Sequence, residues 1–295
     1  MTDIIPPDNG SADEQEVYRP DDVTLPARSS DAFALLLGRT QGVRGSSEIM
    51  AGARADLTPS PFTLALSSLG GRITARTIMN MAMSKAAIHY LAARIPSLEE
   101  IVRRALNARE SALLVDLAAG FSPLGLQIAD EMPQVQVLEI DLPAVLQEKR
   151  KRLQKGRHLT IPPNIEWLEA NLGTQEFHGL LEGRRPDVIT YSAVYFTLPE
   201  QVRVARYLRD QLQRGGALVC MSMWVEGLRQ VREANRFFRN QTSETPGVWE
   251  SPEAAQQIFA SAGFASVEVF KPSEIGEKLG LHQPIMDVEL IALAQ

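Results

Sequence analysis

Residues 112–143, ALLVDLAAGFSPLGLQIADEMPQVQVLEIDLP, decide the fold. An apolar run from Ala112 to Val115 ends in Asp116, and the small-residue turn Ala118-Ala119-Gly120 follows. Leu124 to Met132 has helical apolar spacing, and Val135 to Ile140 is a second apolar run that closes on Asp141. Strand, tight turn, helix, strand and acid make the first half of a nucleotide-binding α/β unit.

Downstream the alternation continues. Strands are expected at 112–116, 135–140, 164–169, 187–192, 217–223, 265–270 and 287–293, and helices at 123–132, 143–155, 174–182, 200–214, 227–240 and 252–262. Such alternation gives a mainly parallel sheet covered on both faces. Between the last two strands lies KPSEIGEKLGLHQP, with no clear helix of a dozen residues, so that pair is expected to be antiparallel at the sheet edge. Upstream, the spacing from Phe62 to Leu106 is helical, and Pro96-Ser97 predicts a break into at least two helices, with Glu99 and Glu100 in the first turn of the second. Residues 40–60 are rich in Gly and Ser and read as loop, and a helix is expected to start at Ser29-Ser30-Asp31. Residues 1–28 are acidic and Pro-rich and read as a disordered or loosely attached tail. The expected organisation is that tail, a helical cap region over 29–110, and an α/β domain over 111–295.

Composition removes several functions. A net charge of −6 argues against a binder of phosphate backbones, which needs a basic face. The run Glu148-Lys149-Arg150-Lys151-Arg152 reads as a solvated helix face, not a nucleic-acid patch. No apolar run approaches the ~20 residues of a membrane span, and the N-terminus resembles neither a secretory signal nor a transit peptide, so a cytoplasmic location is the default. Cys220 lies in an apolar run and reads as a small core hydrophobe. His89, His158, His178 and His282 are scattered without the spacing of a metal site.

The turn after the first strand has Ala118 where a dinucleotide fingerprint has its first glycine, Gly120 at the second and Pro123 at the third. A pyrophosphate would also meet the Asp116 carboxylate, whereas a ligand bearing an ammonium group would be attracted to it. Asp141 lies just past the second strand, where a carboxylate accepts the hydroxyls of a ribose, with Glu139 as the reserve on the same strand face. Asp141 is also placed to cap the helix that starts near Pro143. Two acids, a small-residue turn and no pyrophosphate cradle suggest an adenosine carrying an amino-acid tail, which is S-adenosylmethionine (SAM).

The segments VDLAAG (115–120), VLEIDLPAVLQEKRKRL (137–153), EANL (169–172) and DVITYSAVYFTLP (187–199) resemble class I methyltransferases. Within that class they are most similar to the leucine carboxyl methyltransferase family and its bacterial polyketide O-methyltransferase relatives, E-x-D-L-P being the most specific piece. The resemblance implies a Rossmann-like α/β fold with a seven-stranded, mostly parallel sheet, an antiparallel C-terminal edge and a helical N-terminal cap that shapes the acceptor pocket. It implies SAM as donor and a small-molecule acceptor. It places Arg94 on the donor's methionine carboxylate, Ala118 and Gly120 in the glycine-rich turn, Asp141 with Leu142 at the ribose, and Asn171 with Leu172 beside the adenine. Ser192 stands where the family carries Glu after its fourth strand, and Ser122-Pro123-Leu124 where it carries Asp-Thr-Arg.

The function expected is SAM-dependent O-methylation of a small, polyketide-like metabolite. Carboxyl methylation of a protein or small acid, and a donor-binding partner protein without catalysis, are the alternatives. Methyl transfer is an in-line displacement that relies on alignment, and a base is needed only for an acceptor hydroxyl that is not already acidic. Base or lining candidates are His89, Tyr195 and His282. Phe237, Phe238 and Trp249 form either an aromatic lid or plain packing, of which packing is the better single explanation.

Overall fold

The computed structural model describes residues 46–82, 84–107, 109–156, 159–172, 179–193, 196–230 and 248–295. Among the described residues four helices come first: α1 (Ser46–Leu57), α2 (Pro61–Leu66), α3 (Leu69–Ala82) and α4 (Lys85–Leu106). The remainder alternates as β1 (Ala112–Leu117), α5 (Leu124–Glu131), β2 (Val135–Asp141), α6 (Pro143–Lys155), β3 (Ile165–Glu169), β4 (Val188–Ser192), α7 (Leu198–Gln211), β5 (Ala217–Met223), α8 (Val225–Gln230), α9 (Pro252–Ser261), β6 (Val267–Phe270), α10 (Pro272–Lys278) and β7 (Glu289–Ala294).

The strands form one seven-stranded sheet in the order β3-β2-β1-β4-β5-β7-β6. Every pair from β3 to β5 is parallel, and β7 runs antiparallel to both β5 and β6. The expected antiparallel C-terminal pair is thus present, with β7 inserted inside the edge. Side chains alternate faces along each strand. Val115 joins a core under α7 and α9 that contains Val204, Leu208, Ile258 and Phe259. Its neighbour Leu114 joins a second core under α4, α5 and α10 that contains Ile101, Leu106, Ile128 and Ile275. Both faces are therefore covered, as near-continuous apolar strands require.

Three readings of the sequence are corrected. Residues 46–57 are helix, not loop. Gly52 there is not a turn residue: a Cβ on it would collide with the backbone of Gly71 on α3, so it marks where two helices cross closely. Second, Pro96 does not divide its helix, and α4 runs unbroken from Lys85 to Leu106. The interior proline costs about 3 kcal/mol. Packing on both sides of it offsets that cost: Tyr90 and Ala93 lie against Ile285 and Val288, while Leu98 to Leu106 lie against the sheet. Third, the charged run of α6 is not wholly solvated. Leu146, Lys149 and Leu153 share its buried face.

Of the helix expected at 227–240 only residues 227–230 fall among those described, where they form the end of α8. The expected helix start at 29–31, the tail 1–28 and most of the expected helix 174–182 lie outside the described residues. Among the described residues no helix is long and apolar enough to cross a membrane.

Candidate functional site

Strand order reverses direction between β1 and β4, which opens a crevice beyond their carboxyl ends. The β1 exit turn forms one wall. Ala118 has φ 55° and Gly120 φ 53°, left-handed values that curl the backbone tightly. The turn is pinned to β2. The Ala119 N–H donates to the Ile140 carbonyl at 3.3 Å, and the Gly120 N–H donates to Asp141 Oδ2 at 2.6 Å. Asp141 Oδ1 accepts the Leu142 N–H at 2.7 Å, so one carboxylate fixes both strand exits. Burial raises the Asp141 pKa against the lowering effect of these two amides. The Ala170 N–H donates to the Asp141 carbonyl at 2.9 Å, which carries half-buried Asn171 and Leu172 alongside. Leu142 is exposed at the rim.

Asp116 is buried at the crevice floor. Its Oδ1 accepts the Thr190 hydroxyl of β4 at 2.6 Å, and its buried Oδ2 has no hydrogen-bond partner among the described residues. Burial, then the nearby Glu139, pushes its pKa up to about 7. Glu139 is not a ribose ligand in reserve. It is fully buried, with Oε2 held by Lys149 Nζ at 2.7 Å and Trp167 Nε1 at 2.8 Å. Lys149 Nζ also donates to the Ser122 carbonyl at 2.8 Å, tying α6 to the β1 exit turn.

The N-terminal helices close over this turn. Arg54 of α1 is half-buried and donates to the Phe121 carbonyl at 3.3 Å. Its Nε is buried without a partner among the described residues, and burial, then neighbouring Arg94, lowers its pKa to about 9. The Phe121 ring lies 4.2 Å from the Arg152 guanidinium, which also binds Glu48 of α1. Arg94 of α4 forks onto Glu289, Nε to Oε2 at 2.5 Å and Nη2 to Oε1 at 3.2 Å, and the Tyr90 hydroxyl donates to the same Oε2 at 2.6 Å. Glu289 pairs with Met223, the last residue of β5, so this cluster borders the carboxyl edge.

The remaining candidates are distributed around the rim. Ser192 ends β4, half-buried, with its hydroxyl 3.4 Å from the Met221 carbonyl. His89 and His282, far apart in sequence, come together with ring centroids 5.8 Å apart, and His89 Nδ1 lies 2.9 Å from the Pro284 carbonyl oxygen. Tyr195, His158 and His178 lie outside the described residues. No cluster of metal-ligating side chains is present among the described residues.

Sequence reasoning missed Arg54, Thr190 and Lys149. Arg54 sat in a stretch read as loop, and nothing local distinguished it. Thr190 alternates with the apolar residues of β4 and gave no signal until its register opposite Asp116 was known. Lys149 was legible in principle, because it shares a face with Leu146 and Leu153.

The residues present fit SAM. A buried carboxylate oxygen without a partner suits an ammonium, a second carboxylate stands at the β2 exit, and a cationic side chain stands over a turn free of bulky groups.

Comparison with known proteins agrees. The leucine carboxyl methyltransferase family profile matches residues 53–192. No curated protein sequence matches. An O-methyltransferase family protein from Burkholderia thailandensis aligns over 82% of this chain and 68% of its own, at 19% identity and a TM-score of 0.50. Human N-acetylserotonin methyltransferase in complex with SAM aligns over 90% and 69%, at 14% identity and a TM-score of 0.48. The likeness to the Burkholderia structure is one of fold. The family match, over just under half of the chain, and the fold together support a SAM-dependent methyltransferase with SAM as its cofactor.

Proposed function

We propose that the chain methylates an oxygen of a small, polyketide-like acceptor. The observation that carries this is the closure of the donor turn by the N-terminal helices, through Arg54 on Phe121 and Arg152 on Glu48. A crevice roofed by the chain's own helices suits a small molecule better than a protein surface. When bound, SAM supplies an electrophilic methyl group.

The chain's residues then have these roles. Asp116 Oδ2 receives the donor's ammonium, and Thr190 holds that carboxylate in place. Arg94 and Arg54 face the donor's carboxylate, Arg94 being drawn from its fork on Glu289. Ala118 and Gly120 let the backbone approach closely, and Asp141, with Leu142 beside it, takes the ribose hydroxyls. Asn171 and Leu172 border the adenine, and Ser192 stands at the methionine end. His89, His282 and Tyr195 are the acceptor-side candidates. A base there removes the proton of a neutral hydroxyl, and an acidic phenol or enol needs none. A carboxylate acceptor is the second reading, favoured by the family match.

Calorimetry with SAM and with NADH tests the donor assignment. SAM should bind, and Asp141→Ala should weaken it at least about tenfold, equivalent to roughly 1.4 kcal/mol. NADH binding without SAM binding would overturn it. Mass spectrometry over a panel of phenols, enols and carboxylic acids then identifies the acceptor. A base-labile product marks an ester instead of an ether, and no turnover on any acceptor favours a donor-binding partner protein.

A further inference from the structure

We propose that Gln201 is a positioning residue for the acceptor side of the crevice. Its amide locks the chain leaving β4 to the chain leaving β5. This rests on the acceptor meeting the donor beside the β4 exit.

Gln201 lies in the first turns of α7 and is fully buried. Its Nε2 donates to the carbonyls of Ala193 at 3.2 Å and Phe196 at 3.1 Å, the two ends of the β4 exit turn. Its Oε1 accepts the indole N–H of Trp249 at 2.7 Å. Trp249 is itself stitched to the β5 exit: its N–H donates to the Met223 carbonyl at 3.0 Å, and its carbonyl accepts the Val225 N–H at 2.9 Å. The buried indole packs edge-on against Phe259, with centroids 5.9 Å apart. One side chain therefore joins three segments that are far apart in sequence, all at the carboxyl edge where ligands bind in such sheets.

The chemistry demands an amide. Two carbonyls need donors and an indole N–H needs an acceptor, so only a carboxamide serves all three, and in only one orientation. Glutamate would turn carboxylate lone pairs toward two carbonyls, and asparagine is one methylene too short. Apart from Ser192 at the end of β4, the proposed donor contacts lie elsewhere, at the β1 and β2 exits, at Arg54 and Arg94, and at Thr190 inside β4. Loosening the clamp should therefore move the acceptor wall and leave the donor seat in place.

The test uses the full chain with Gln201→Glu and, as a milder variant that keeps the ring packing, Trp249→Phe. Hydrogen exchange, S-adenosylhomocysteine calorimetry and steady-state kinetics on the acceptor that the wild type turns over fastest are measured together. Both variants should speed exchange at Phe196 and Thr197 and at residues 223–226 together. Affinity for S-adenosylhomocysteine should stay within about twofold, while kcat/KM for the acceptor falls at least about tenfold. Trp249→Phe should show the smaller change in each. The proposal is overturned if exchange at the two exits is unchanged, if it rises equally in β1 and β2, or if donor affinity falls in step with acceptor kinetics. A wild type that methylates nothing in the panel defeats the acceptor reading of the preceding section, and exchange with donor affinity still decides the clamp.

Discussion

Lys149→Met should be among the most destabilising single substitutions in the α/β domain. Lys149 and Glu139 are both fully inaccessible and lie 2.7 Å apart. Methionine restores most of the lost volume, so the penalty is electrostatic: Glu139 is left as a buried anion holding only the Trp167 indole, and the Ser122 carbonyl loses its donor. Breaking a buried pair from one side costs about 3–5 kcal/mol. At roughly 2–4 °C per kcal/mol for a chain of this size, melting should fall by roughly 6–20 °C. Glu139→Gln added to Lys149→Met should recover most of the loss at neutral pH, because an amide oxygen still accepts from Trp167. Urea denaturation of the four members of the cycle at neutral pH measures both effects. A single-variant loss below about 1 kcal/mol, or no recovery in the double variant, would refute the reasoning.

Asp116 makes the ligand-free chain pH-sensitive. Its pKa rises from 3.8 to about 7 on folding, so stability falls as pH rises from about 4 to 7, by about 4 kcal/mol at ~1.36 kcal/mol per unit. Asp116→Asn should flatten that slope in thermal melts. If the deprotonated carboxylate receives the donor's ammonium, donor affinity should rise with pH up to about 7 and level off, with proton release visible by calorimetry in buffers of different ionisation enthalpy; pH-independent affinity from 6 to 8 would exclude that role. Gly125→Ala should cost about 1–3 kcal/mol by urea denaturation, because its Cβ would strike the Glu139 carboxylate, which the Lys149 ion pair keeps from moving away.

Most of the sheet was legible because its strands are short apolar runs ended by Asp116, Asp141 and Ser192, and both neighbours and turns reinforce the period. What sequence could not supply was contact between distant segments. The Gly52–Gly71 crossing makes helix from a stretch whose composition suggests loop. Packing at both ends carries α4 through Pro96. The placement of Asp116 and Asp141 at the carboxyl ends of β1 and β2 was legible because the apolar runs stop there. Arg54, the Arg94–Glu289 fork and the pairing of His89 with His282 were not, since each depends on where another part of the chain comes to lie.

The reversed β7 has a consequence for how the molecule assembles. It pairs Met223 with Glu289 and Phe270 with Ile291, so the partner on one side is distant in sequence and on the other near. β6 touches the sheet only through β7. Loop closure favours the nearer pairing first. On loop-closure grounds the two strands are expected to pair as a local ribbon that docks on β5 as a unit. That docking and the pairing of β1 with β4 are both long-range steps of the kind that slow folding, and the rim is complete only when Glu289 reaches Arg94 and Tyr90. The β1 and β2 exits are joined by a nearer pairing, Leu117 with Ile140, which can form before β7 docks.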